Sequence, residues 1–235
     1  MLSGTDLGGS ITYQKIYADA YEKNAGVTKV GREKLHNLLN EGVLWWNYIG
    51  HASINSLTAE GMLTLGDLSS LYLRRPPFFY GATCSFGHWD GLEVSGLEQL
   101  LLTDAGGLIG GITAVRPVYI ARNGVLSNAM GGEVFNTDAE GRVIPVGEAM
   151  RRAKNRVPSD ANKLRYVFMG DPAMRLALPS LHATIDMIGG VAVDASPEAE
   201  QCVIPALAPV TLTGRITDHE GNLVPDFNGT GTSLS

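Results

Sequence analysis

Two residues in this sequence are of types that together can open a carbonyl bond, and each stands just past a short apolar run. His51 follows Trp45-Trp46-Asn47-Tyr48-Ile49-Gly50, and Cys84 follows Phe78-Phe79-Tyr80-Gly81-Ala82-Thr83. An imidazole beside a thiol is a base beside a nucleophile. The imidazole takes the thiol proton, and the thiolate attacks a carbonyl carbon. The backbone N–H groups of Cys84 and Ala52 are then the candidates for holding the developing oxyanion. Each residue alone has a plainer reading, the thiol as a small buried hydrophobe and the imidazole as a hydrogen-bonded structural group. Their joint placement favours the dyad.

That placement depends on the elements around them. The runs over 43–49 and 78–83 read as buried parallel strands. His51 and Cys84 are 33 residues apart, the difference of their positions, which leaves room for one crossover helix. Open α/β sheets build their sites at the carboxyl ends of strands, so two parallel neighbours would present both side chains on one edge. The Gly- and Ile-rich stretch 107–115 predicts a third strand. Apolar spacing predicts helices over 31–40, 64–73, 97–103, 124–135 and 146–156. A further short helix is predicted over 10–21 from Tyr13, Ile16, Tyr17, Ala20 and Tyr21. From Val43 onward the order is β-α-β-α-β-α, which argues for a mostly parallel sheet with helices on both faces.

The pattern changes near Pro179. Beyond it, short β-type runs at 183–188, 191–193 and 209–216 alternate with Gly, Pro and Asp. The alternation in 210–216 suits a strand of an immunoglobulin-like sandwich. Two domains are therefore expected, 1–180 and 181–235, the second shorter than a whole sandwich.

Composition narrows the function. The chain has 235 residues, 44% of them hydrophobic, and a net charge of −6. It can bury a core, and general nucleic-acid binding is excluded for want of a basic excess. Two cysteines exclude a disulfide scaffold. No apolar stretch is long enough for a membrane helix.

Other candidates are weaker. His88 and Asp90 flank Trp89 and could touch substrate or a metal, but no further ligands sit at zinc spacing, so no metal site is assigned. Arg116, ending the third strand, either faces the cleft and takes a carboxylate or forms a structural salt bridge. Asp6 reads as a loop carboxylate, Cys202 as a core thiol, and Asp171 before Pro172 as a turn residue. Tyr13, Tyr17 and Tyr21 read as a packing face. The Gly106–Gly111 run lacks a dinucleotide-binding register.

The ordered strings Asn47-Tyr48-Ile49-Gly50-His51, Ala82-Thr83-Cys84-Ser85-Phe86, Gly106-Gly107-Leu108-Ile109-Gly110, Arg116-Pro117-Val118-Tyr119, Gly147-Glu148-Ala149 and Gly170-Asp171-Pro172-Ala173-Met174 resemble the gingipain family of cysteine peptidases. Within it they are most similar to the signal peptidases, or sortases, of the type IX secretion system of Bacteroidetes. The resemblance spans about Gln14 to Pro179. It implies a caspase-like fold with Cys84 as nucleophile and His51 as base. Trp89, Asp90 and Arg116 stand as candidate substrate contacts on the residue reading alone.

The implied activity is cleavage of a carboxy-terminal sorting domain from exported proteins at the outer-membrane surface. Partners would be those protein substrates, other secretion components, and anionic lipopolysaccharide as an amine acceptor. No cofactor is required, and calcium is a structural ligand the resemblance allows. On the same resemblance this chain is a fragment, with half of the catalytic domain upstream and the second domain cut short. Relatives carry Gly where Ala52 stands, and a Glu near Glu98 in a shifted frame. Those departures keep open an alternative, a catalytically inactive surface-binding homologue.

Overall fold

The structure is a computed structural model that describes residues 11–24, 26, 28–58, 61–64, 66–67, 71–104, 106–178, 181–193, 209–218 and 220–228. The chain divides into two compact units, Met1–Ala177 and Leu178–Ser235.

The first unit is built on a four-stranded sheet. Its strands are β1 (Trp45–Ile49), β2 (Phe78–Ala82), β3 (Gly110–Ala114) and β4 (Tyr166–Gly170), in that spatial order. β1, β2 and β3 run parallel, and β4 closes the edge antiparallel to β3. The helices are α1 (Lys29–Glu41), α2 (Gly96–Leu102), α3 (Ile120–Gly131), α4 (Val146–Arg156) and α5 (Ala161–Leu164). The mostly parallel α/β architecture expected from the apolar runs is present.

Every residue of β2 and β3 is buried, as central parallel strands covered on both faces must be. Side chains alternate across the sheet. On one face Trp46, Phe79 and Phe86 join Leu39 of α1 and Leu97 and Leu100 of α2 in one cluster. On the other, the Trp45 ring stacks on Phe78 at 5.2 Å and on Tyr80 at 5.9 Å, and Tyr80 stacks on Tyr166 of β4 at 6.2 Å. Phe135, just past α3, meets Trp45 edge-on on this second face.

Several expectations need correction. The tyrosine-spaced segment 10–21 has only a three-residue 3-10 turn, Ala18–Ala20, among its described residues. Tyr13 and Tyr17 are exposed and Ile16 and Tyr21 only half-buried, so little apolar burial offsets the cost of nucleating a helix there. α3 starts four residues before the predicted 124. The predicted helix 64–73 falls partly outside the described residues. β4 was not anticipated, although Tyr166-Val167-Phe168-Met169 is an apolar run ending at a turn.

The second unit holds β5 (Leu181–Ile188), β6 (Val191–Ala192) and β7 (Leu212–Asp218) in a three-stranded antiparallel sheet, order β6-β5-β7. Cys202 lies outside the described residues, as does Asp6.

Candidate active site

Ile49 of β1 pairs with Ala82 of β2. His51 and Cys84 each stand two residues further on, so they leave two adjacent parallel strands at the same height. Neighbouring strands lie about 4.8 Å apart. Loop anchors then fix each one.

The His51 backbone is held at two points. Its carbonyl accepts from the Tyr48 hydroxyl at 2.6 Å and from the Thr58 N–H at 2.9 Å. The residue between makes the first bond feasible: a Cβ on Gly50 would lie 2.6 Å from the Tyr48 hydroxyl. The second belongs to a small hairpin in which Ala52 bridges Leu57. Its bonds run Thr58 to His51 and Ser53 to Ser56, so Ala52 is a non-hydrogen-bonded position and its N–H is not used by the hairpin. Ala52 also has no positive φ, so its side chain carries no backbone strain here. The His51 residue itself is exposed.

Cys84 is set by a sharp reversal. Ser85 adopts φ 50°, a left-handed conformation rare for a non-glycine residue, and the chain then turns back into the core. Phe86 is fully buried, its ring 5.5 Å from Phe79. Its carbonyl accepts from Leu97 N–H at 3.1 Å, at the start of α2. Gly96 is required there, because a Cβ would come within 2.2 Å of the Phe86 ring. α2 itself is fixed by a capping box. Ser95 Oγ accepts from Glu98 N–H, while the Glu98 carboxylate accepts from Ser95 N–H at 2.9 Å. That bond assigns Glu98 a structural role.

The thiol is half-buried and engaged by one residue. Val118 N–H donates to Sγ at 3.4 Å, and Sγ–H donates to the Val118 carbonyl at 3.6 Å. No hydrogen bond joins Sγ to the His51 imidazole among the described residues. Tyr166 of β4 is a buried phenol. Burial first, then Tyr80 and Cys84, push its phenol pKa up. The sequence carries no signal for that residue, which is 82 positions from Cys84 and joins it only through the sheet.

The three residues expected to meet substrate divide. Trp89 is 58% exposed and is not packed by its loop. Asp90 and Arg116 pair with each other in a two-pronged bridge, 2.8 Å and 2.6 Å. That hydrogen bond holds the Asp90 carboxyl at about 2 and raises Arg116. Arg116 is thus in a salt bridge, with both partners partly exposed. His88 Nε2 sits 3.4 Å from the same carboxylate. Among the described residues no three or more His, Cys, Asp or Glu side chains converge to hold a metal ion.

A family model described as peptidase family C25 matches residues 4–177. The Arg-specific cysteine proteinase gingipain R (RgpB) is similar with a TM-score of 0.54 at 17% identity, over 69% of this chain and 40% of that one. The complex of the RgpB pro- and mature domains of Porphyromonas gingivalis matches with 0.54 and 17%, over 69% and 41%. At such identity the likeness is one of fold, and the chain spans about two-fifths of those structures. Dimeric latent PorU of Porphyromonas gingivalis is 30% identical over 41% of this chain and 9% of its own, with a TM-score of 0.29, which is no match of fold. No curated protein sequence matches the chain.

Proposed function

Since the chain belongs to peptidase family C25, we propose that it carries the nucleophile and base of a cysteine endopeptidase, with Cys84 attacking and His51 as base. One observation carries this reading: the matched register of β1 and β2, from which both residues emerge two positions past a paired couple.

In the reaction, His51 takes the Cys84 proton and the thiolate adds to the scissile carbonyl. The oxyanion is received by the backbone N–H groups of Cys84 and Ala52. The imidazolium then protonates the leaving amine as the C–N bond breaks, leaving a thioester on Cys84. Water, or an amine of a second substrate, resolves that thioester and releases the thiol. Trp89, exposed five residues past the nucleophile, contacts the substrate. No metal or cofactor takes part, and any bound calcium would be structural.

The substrate in this proposal is an exported protein bearing a carboxy-terminal sorting domain, cut at the cell surface on the outer membrane by a type IX secretion sortase. Its partners are other components of that system, and anionic lipopolysaccharide supplies the accepting amine. The ordered sequence strings from Asn47 to Met174 support this choice within the family. A second reading, a homologue that keeps the scaffold for binding alone, draws on the absence of a thiol–imidazole hydrogen bond.

The test incubates the full-length protein with a cargo protein carrying its sorting domain and follows release by intact mass. Release that disappears in Cys84→Ala and in His51→Ala is the expected result. Cleavage that survives Cys84→Ala removes the dyad. Cleavage of unfolded casein without release of the sorting domain keeps the peptidase and removes the sortase.

A further inference from the structure

The loop that carries Cys84 and the segment that leaves β3 are separate in sequence, yet Val118 from the second supplies both backbone contacts to the sulfur of the first. Something must hold the two together at the accuracy a hydrogen bond needs. Gly87 N–H donates to the Ala114 carbonyl at 3.2 Å, at the root of both segments. Further out, Asp90 and Arg116 close the gap with two parallel N–H···O bonds. A fork-to-carboxylate pair fixes orientation as well as distance. The same Arg116 also donates to the Val115 carbonyl at 2.8 Å, which ties the fork to its own backbone. The outer side of the segment is secured independently. Arg165 donates to the Pro117 carbonyl, and Tyr119 N–H donates to Asn162 Oδ1 at 2.7 Å.

We propose that Asp90 and Arg116 are a positioning pair for the nucleophile, holding the Val118 backbone on the Cys84 sulfur. The proposal rests on the reading of Cys84 as nucleophile. Neither residue touches the sulfur, and each acts through Val118. Of the two Val118 contacts, the N–H is the one that survives ionisation. It donates to sulfur in both protonation states, and donation favours the thiolate. The carbonyl loses its partner once the proton leaves. Releasing the clamp therefore costs thiolate. The pair is a partly exposed ion pair, whose share in global stability is small. Its loss should register at the thiol and not in the melting temperature.

The titratable and charged groups on the elements around Cys84 are His51, Tyr80, Tyr166, Arg165 and the cluster His88, Asp90 and Arg116 itself. A shift caused by the clamp must therefore be separated from one caused by general unfolding of this region. The experiment measures alkylation of Cys84 by iodoacetamide against pH in the full-length protein, with peptide-level mass spectrometry to isolate that cysteine. Asp90→Asn should slow alkylation about five-fold at neutral pH and move the midpoint upward, with the melting temperature within about 2 °C of the parent. Arg116→Lys, which keeps the charge and loses the fork, should fall between. The exchange Asp90→Arg with Arg116→Asp should recover part of the rate. Glu148→Gln, which breaks a bridge on α4 to Arg151, is the control and should change nothing.

An Asp90→Asn protein that alkylates at the parent's rate and midpoint overturns the proposal. So does one that alkylates faster, since Val118 would then be a cap on the thiol. A parent thiol no faster than free cysteine refutes the nucleophile reading instead, and the proposal falls with it.

Discussion

Replacing Phe86 by Ala should remove the anchor that turns the chain back after Cys84. Phe86 is fully buried, and its ring lies 5.5 Å from Phe79 in the cluster with Leu97 and Leu100. Truncating a buried Phe costs about 3–5 kcal/mol, because the apolar area is lost and the cavity only partly collapses. Collapse should be poor here, since the ring is flanked by the Gly96 backbone, which has no side chain to move in. With a urea m-value of about 2 kcal/mol/M, a loss of about 4 kcal/mol moves the unfolding midpoint down by about 2 M. Equilibrium urea unfolding followed by tryptophan fluorescence reads this directly, because Trp46 packs edge-on against Phe79 at 4.8 Å in the same cluster. Phe86→Leu keeps most of the volume and should lose less than half as much. A midpoint shift below about 0.5 M for Phe86→Ala would refute the claim that this ring anchors the loop.

Ser95→Ala removes the capping-box acceptor of Glu98 N–H and leaves a buried helix end unsatisfied. It should cost about 1–2 kcal/mol, read as a lower melting temperature. His36 gives a pH dependence with a definite sign. Burial lowers its pKa below the ordinary 6.5, against the pull of Asp67. The folded protein therefore binds that proton less tightly than the unfolded chain, and this share of stability is present above pH 6.5 and is lost as pH falls below it. Urea midpoints should decline from pH about 7.5 to about 5, and His36→Asn should flatten that decline. Asp67, whose pKa is also lowered, loses its share only at more acidic pH, below the ordinary carboxylate value of 3.8, and should not contribute in this window.

Much of the fold could be read from local pattern. The all-buried strands β2 and β3 declare themselves as unbroken apolar or Gly-rich runs, and α4 begins and ends at the residues its spacing marks. β4 is a short apolar run that the helix at 146–156 precedes without a strand signal of its own, and its direction is a property of the edge it joins. Nothing in Tyr166-Val167-Phe168-Met169 says that it pairs antiparallel with β3. The 10–21 segment shows the reverse error, a helical period of which only Ile16 and Tyr21 are half-buried while Tyr13 and Tyr17 stay exposed. The apolar runs before His51 and Cys84 were legible as the two strands, and their pairing sets Ile49 beside Ala82. The Asp90–Arg116 pair was not legible. Its members lie 26 positions apart on different loops, and only the sheet brings them together. The same holds for Val118, whose backbone contact to sulfur depends on no side-chain type.

The central claim is that His51 activates Cys84. Its most direct test is the second-order rate of Cys84 alkylation in the full-length protein at pH 7, with and without His51→Ala. A free thiol there is only a few per cent thiolate, so activation has room to raise the rate by on the order of tenfold. The account predicts fast labelling that drops toward the free-thiol rate when His51 is removed. Labelling at the free-thiol rate, unchanged by His51→Ala, would contradict it.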